Sequence, residues 1–220
     1  MGRDVYEVFK YLTSHVQPEK LKKSFISPHQ SMPRLSSLID AEIVAAGQGK
    51  PSGIWIKCNA IVDRNLIDKL YEASCAGVKI EIIARGICCL RPGVDGLSEN
   101  IKVRSIVGRY LEHGRVYAFA SGGKFGSPKN TVFMASADLM PRNLLRRVEM
   151  FVQLENPTVR KQVINQILTA LLQDKRNSWF LMPDGSYRHS ETAPDSFSAH
   201  DYFIANPSLS GAGSLAKESK

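Results

Sequence analysis

Three consecutive stretches decide the fold: Ile54-Trp55-Ile56-Lys57-Cys58, then Asp63 through Ala76, then Val78-Lys79-Ile80-Glu81-Ile82-Ile83-Ala84. The first and third are short and rich in β-branched residues, as strands are. In the middle stretch, Leu66, Ile67, Leu70 and Tyr71 share one helical face, Asp63 stands at an N-cap position and Gly77 supplies a stop. Strand, helix and strand in about thirty residues form a βαβ crossover. A crossover makes its two strands parallel and places a helix over the sheet.

Working outward, Leu35, Leu38, Ile39, Ile43 and Ala46 predict a helix that stops at Gly47 and Gly49. Pro18, Pro28 and Pro33 break the chain before it, so residues 15–33 read as a linker. Val5, Val8, Phe9 and Leu12 place a short amphipathic helix at 4–14. On the other side, strands are expected at Ile101–Val107, Val116–Ser121, Val132–Ala137 and Val148–Leu154, with Gly122–Asn130 as a hairpin turn. Val163, Ile164, Ile167, Leu168, Leu171 and Leu172 give Val159–Gln173 a period near 3.6 and hence a helix. Trp179–Met182 reads as a last short strand closed by the Pro183-Asp184-Gly185 turn. Beyond Tyr187 few large residues remain, and the tail is expected to be disordered. The fold class is α/β, a mixed β-sheet flanked by helices.

Composition narrows the function. With 220 residues, 43% hydrophobic, and a mean hydropathy of −0.18, the chain suits one globular domain and excludes a wholly disordered one. No run approaches the roughly 20 apolar residues of a membrane helix. The N-terminus lacks a signal-peptide pattern. Four cysteines without C-x-x-C spacing suit a reduced, cytosolic setting. The net charge is +8; residues 176–220 hold four basic and five acidic side chains, leaving +9 for the other 175. That excess points to a polyanionic partner. No G-x-x-x-x-G-K-[ST] motif is present, which disfavours a Walker-type kinase.

Of five histidines, His15 and His29 lie in the linker and His189 and His200 near or in the tail. His113 differs. It precedes Arg115 at the mouth of a strand, where alternation predicts both side chains on one face. Imidazole beside guanidinium suits a phosphoryl group: one moves a proton or attacks phosphorus, the other binds the non-bridging oxygens. Alone, a His-x-Arg tripeptide is weak evidence. Two further basic loops also follow strands, Arg85 through Gly93 and Ser136 through Arg147. Ligands gather at the carboxyl ends of strands in open α/β sheets. Three separate basic loops after three strands suit one shared phosphate site.

These residues carry a resemblance. Val62-Asp63-Arg64, Arg85-Gly86-Ile87-Cys88-Cys89-Leu90-Arg91-Pro92-Gly93, Ser98-Glu99-Asn100, Ser105-Ile106-Val107-Gly108-Arg109, Leu111-Glu112-His113, and Ser136-Ala137-Asp138 with Arg142-Asn143-Leu144 resemble the C-terminal part of bacterial polyphosphate kinases of the first family. The resemblance implies a phospholipase-D-like fold, with two related domains each giving a histidine to one site. It implies reversible transfer of the terminal phosphate of ATP to inorganic polyphosphate through a phosphohistidine outside this chain. Arg85 and His113 match family positions that contact ATP. The resemblance thus implies Arg85 as a clamp on ATP or polyphosphate oxygens and His113 as proton donor or electrostatic stabiliser. It leaves Arg91, Arg109, Arg115 and Arg142 as candidates for a polyphosphate path or for plain surface roles. Mg²⁺ is the implied cofactor, with its ligands outside this chain. The implied partners are ATP or ADP and polyphosphate, in a homo-oligomer, with no specific nucleic acid and no transmembrane segment. The implied location is cytoplasmic, in some members peripheral to the inner membrane. The matching division is residues 1–23 as the final helix and linker of a preceding domain, 24–189 as the second phospholipase-D-like domain, and 190–220 as a disordered tail. The isolated chain is then expected to keep a phosphate-binding half-site and little kinase activity. Two alternatives stay open: a phosphodiesterase of the phospholipase D type, and a non-catalytic polyanion-binding module.

Overall fold

The computed structural model describes residues 1–18, 21–190, 193 and 195–207. A single nine-stranded sheet organises them. In chain order the elements are α1 (Gly2–Ser14), β1 (Ser24–Ile26), α2 (Ser31–Gly47), β2 (Gly53–Cys58), α3 (Arg64–Cys75), β3 (Lys79–Ala84), β4 (Ile101–Ile106), β5 (Val116–Phe119), β6 (Thr131–Ala135), α4 (Pro141–Leu145), β7 (Met150–Gln153), α5 (Pro157–Gln162), a π-helical turn (Val163–Leu168), α6 (Thr169–Gln173), β8 (Ser178–Leu181), β9 (Tyr187–His189) and α7 (Ala199–Ala205). Across the sheet the strand order is β1-β7-β6-β5-β2-β3-β4-β8-β9. β2, β3 and β4 are parallel, with Ile54 opposite Ile80 and Ile80 opposite Ile101. β5 runs antiparallel to β2, and the other pairs are antiparallel as well. The mixed sheet flanked by helices is as expected.

Strand alternation divides the core between the two faces. Ile54, Ile56, Cys58, Ile80, Ile82, Tyr117 and Phe119 pack under α2 and α3 with Leu35, Ile39, Leu66 and Leu70. Val116, Ala118 and Val132 turn the other way, onto Val163, Ile164 and Leu168. Ile83 and Ile106 meet Ala170, Leu171 and Ala199 beside them. Burying both faces explains why the central strands carry nearly continuous apolar sequence. Asp63 caps α3 as predicted, its carboxylate accepting the Leu66 N–H at 3.1 Å.

Several expectations need correction. Residues 24–26 are not linker but an edge strand, with Phe25 stacked on Phe151 at 4.5 Å. Pro33 does not break the chain; it sits in the first turn of α2, where its missing N–H costs nothing. The helix expected at 159–173 begins at Pro157, capped by the Asn156 side chain, and widens at Val163–Leu168. There the Thr169 hydroxyl donates to the Ile164 carbonyl. The Pro183–Gly185 turn closes a hairpin onto a ninth strand, β9. The segment 190–220, read as disordered, contributes α7, with Ala199 and His200 buried. Residues 208–220 lie outside the described residues. No helix among those described is long and apolar enough to cross a membrane.

On α1 the buried residues are Asp4, Glu7 and Val8. The Asp4 carboxylate accepts the N–H groups of Lys22 and Lys23 and the Ser24 hydroxyl. Val5, Tyr6, Phe9 and Leu12 point outward.

Candidate functional site

Because β2 and β3 are parallel and β5 opposes β2, the carboxyl ends of β2 and β3 share one end of the sheet with the start of β5 and the end of β6. Arg85, Asn59, Arg115 and Asp138 leave the strands there. The segment after β2 binds two loops together. The N–H of Ile61 reaches the Ile87 carbonyl at 2.9 Å and that of Cys89 reaches the Ile61 carbonyl at 2.9 Å. On the other side, Val62 donates to the Leu139 carbonyl and Leu139 to that of Ala60. Ile61, fully buried, therefore fixes the Arg85 loop against the Asp138 loop.

His113 stands just ahead of β5, at the mouth of that strand, and is exposed in the loop between β4 and β5. It meets Arg115, whose Nη1 donates to the His113 carbonyl at 3.0 Å and whose Nη2 stands 3.4 Å from Nε2 of the ring. On the other edge, Nη2 of Arg85 stands 3.4 Å from Nδ1. A neutral imidazole has one acceptor nitrogen, so it cannot satisfy both guanidiniums.

Behind this trio lies Asp138. Its Oδ1 accepts from the Asn59 N–H at 2.7 Å and from Nε of Arg115 at 3.0 Å; its Oδ2 accepts from Nη2 of Arg115 at 3.0 Å and from the Asn59 amide at 3.2 Å. Burial alone would raise the Asp138 pKa, but the bonds from Arg115 and Asn59 outweigh it and hold the carboxyl below its ordinary value. Arg115 answers in kind: burial opposes its charge, Asp138 restores it, and its pKa rises. Three of the five Arg115 donors are thus bonded to Asp138 and the His113 carbonyl, and a fourth stands against the His113 ring. Arg85 is freer. Its Nε donates to Asn59 Oδ1 at 3.0 Å, and among the described residues its Nη1 has no partner.

A Cβ on Gly86 would stand 3.0 Å from the Asn59 carbonyl, a tight approach that favours glycine there. A groove of about 260 Å³ opens beside Arg85, lined by Gly86, Ser105, Val107, Trp179 and Tyr187. A larger hollow, about 790 Å³, lies at the β1 edge among Lys22, Lys23, Arg34 and Gln153 and includes none of the His113 cluster.

The family model for polyphosphate kinase C-terminal domain 2 matches residues 24–200. The chain belongs to that family. A polyphosphate kinase of Erythrobacter litoralis is 51% identical over 213 residues, covering 97% of this chain and 30% of that protein. One from Thermosynechococcus vestitus is 43% identical over 194 residues, 88% of this chain and 26% of that protein. The crystal structure of polyphosphate kinase from Porphyromonas gingivalis superposes with a TM-score of 0.84 at 32% identity, covering 95% of this chain and 32% of that one. The chain therefore spans less than a third of the polyphosphate kinases it matches.

In this polyphosphate kinase domain the predicted residues separate. Arg85, His113 and Arg115 come together. Arg91 instead lies on the β8–β9 turn, Nη1 donating to the Pro183 carbonyl at 3.3 Å, with its guanidinium in the space a Cβ at Gly185 would take. Arg109 and Arg142 are exposed, and no contact joins either to the trio. Among the described residues no three His, Cys, Asp or Glu side chains gather as metal ligands, and the carboxylate of the site is taken up by Arg115 and Asn59. The residues present do not fit a Mg²⁺ site. Asn59 was missed in the sequence. Its only signal was a polar residue directly after a β-branched strand at the carboxyl edge.

Proposed function

We propose that this chain is the C-terminal catalytic portion of a polyphosphate kinase and binds the phosphoryl groups of ATP and inorganic polyphosphate at the Arg85–His113–Arg115 cluster. The observation that carries this is the pair of guanidiniums on opposite edges of one exposed imidazole, each at 3.4 Å. The surplus lies with Arg85, whose Nη1 is uncommitted among the described residues, while Arg115 is held by the buried Asp138 behind the ring. A free guanidinium edge beside an exposed imidazole suits an anion with several oxygens. Phosphoryl transfer depends chiefly on alignment and charge neutralisation, which fixed cations supply.

The roles follow from which donors are spent. Arg85 keeps Nη1 for a non-bridging oxygen while Asn59 orients it. Arg115 holds the His113 carbonyl and gives the ring its cationic neighbour. His113 donates a proton, or a hydrogen bond, to the oxygens that gain charge. The phosphohistidine nucleophile and the Mg²⁺ ligands belong to the remaining portion of the enzyme. The groove beside Arg85 and the exposed Arg109 and Arg142 serve the polyphosphate path; Arg91, bound to the Pro183 carbonyl, shapes its wall. Residues 1–23 are read as the end of a preceding domain, supported by the exposed Val5, Tyr6, Phe9 and Leu12 of α1. The full enzyme is read as a cytoplasmic homo-oligomer.

The test supplies the missing portion in trans, from the Erythrobacter litoralis relative, and follows ATP-dependent polyphosphate formation. The wild-type chain restores synthesis and His113→Ala lowers it by about 10²-fold or more. Equal synthesis by both would remove His113 from the reaction.

A further inference from the structure

We propose that His200 is a positioning residue of the phosphate site: from α7, ninety positions away in sequence, it latches the loop that carries His113. The inference rests on the reading of Arg85 and His113 as phosphate ligands.

The loop needs a latch. Val107 donates its N–H to the Asn177 carbonyl, but among the described residues 108–114 make no main-chain bond to other main chain. Side chains hold them instead. Nδ1 of His200 accepts the Tyr110 N–H at 3.3 Å, and Nε2 of His200 meets Oε1 of Glu112 at 2.8 Å. An imidazole nitrogen that accepts from a backbone N–H carries no proton, so the hydrogen sits on Nε2 and is donated to Glu112. Glu112 passes the restraint on: its Oε2 pairs with Nζ of Lys57 at 2.9 Å, and Nζ donates to the Gly114 carbonyl at 3.2 Å. The residues on both sides of His113 are thereby tied to buried anchors, with Lys57 at the end of β2 and His200 only 2% exposed.

The ring is also fitted to this place. A Cβ on Gly108 would stand 2.4 Å from Nδ1 of His200, so the loop can pass the ring only with glycine there. The Tyr110 ring lies 5.5 Å from the imidazole, centroid to centroid. Behind it, α7 has its own footing: the fully buried Asp174 accepts the Ala199 N–H at 2.7 Å, and the Ser198 hydroxyl accepts from the Asn177 amide at 3.0 Å. His200 touches neither Arg85 nor the His113 ring. It acts on the site through the loop.

The experiment uses the 220-residue chain, with inorganic tripolyphosphate as the probe in titration calorimetry and hydrogen exchange followed by mass spectrometry. Loss of hydrogen bonds to a charged group predicts about 10-fold weaker binding in His200→Ala. Exchange should rise in the peptide covering 107–114 and stay unchanged in the peptide covering β3. His200→Gln keeps a donor for Glu112 and should recover most of the affinity. Gly108→Ala, which displaces the ring, should match His200→Ala and add little to it in the double variant. Wild-type affinity in His200→Ala alongside weakened binding in His113→Ala would overturn the latch and leave the site reading standing. Wild-type affinity in both would remove the site reading and the latch with it. Weakened binding with faster exchange across β3 would mean general unfolding, which also overturns the latch.

Discussion

Replacing Asp138 by Asn removes one charge and almost no volume. The carboxylate accepts four hydrogen bonds, two from Arg115 and two from Asn59. An Asn side chain offers one oxygen, so its NH₂ group must face two of those donors whichever way it is turned. The side chains of Asp138 and Arg115 are only 7% and 13% exposed, so the guanidinium is left largely buried without its counter-ion. Breaking a buried pair costs about 3–5 kcal/mol, and the partial exposure of Arg115 reduces this to about 2–4 kcal/mol. For a chain of this size that lowers Tm by roughly 5–15 °C. The effect also has a pH signature. Asp138 titrates below the ordinary value of 3.8 in the folded state, so its charge stabilises the protein above that pH. The stabilisation is lost as pH falls through the lower, folded value. Thermal melts of wild type and Asp138→Asn from pH 7 down to pH 3 should show a constant gap above about pH 4 that narrows below it. A gap equally wide at pH 7 and pH 3, or none at pH 7, would refute the assignment of the carboxylate as the anchor of Arg115.

Arg85→Lys keeps the charge but loses the bond to Asn59 and the planar fork, so tripolyphosphate binding should weaken by about 10-fold in calorimetry. Glu42, 1% exposed, accepts the Gly53 and Ser121 N–H groups, and burial raises its pKa. Glu42→Gln can accept only one of them and should lose about 1–3 kcal/mol in urea unfolding at pH 7. Burial pushes the Cys58 thiol up, and that of Cys88 up to about 11, while Cys75 and Cys89 are exposed. Iodoacetamide at pH 7.5 should therefore label Cys75 and Cys89 and spare Cys58, as read by peptide mass spectrometry.

Much of the centre of the sheet was legible because its signals are local. The β2–α3–β3 unit combined β-branched runs, a helical apolar face and an Asp63 cap, all between Gly53 and Ala84. Arg85 and His113 were legible for a different reason: both stand just beyond strand ends that the pattern places together. What was missed depends on contacts between distant parts of the chain. β1 is three residues long and exists because Phe25 stacks on Phe151. α7 is short and follows a polar stretch. Its order comes from Asp174 and from the packing of Ala199 beside Ala170 and Leu171, which no local pattern announces. Arg91 looked equivalent to Arg85, since both flank one loop. Only the fold shows that one points toward His113 and the other lies over the turn at Gly185. Asn59 gave no signal beyond its place after β2, yet it joins Arg85 to Asp138.

The most direct test of the phosphate half-site is a calorimetric titration of the chain with tripolyphosphate, ATP and duplex DNA, each repeated with Arg85→Ala and His113→Ala. Tripolyphosphate and ATP should bind the wild type and lose about 10-fold or more of their affinity in either variant, with DNA weaker and indifferent to both substitutions. Equal binding of all three polyanions, unchanged when Arg85 and His113 are replaced, would contradict a built phosphate site and leave only a basic surface.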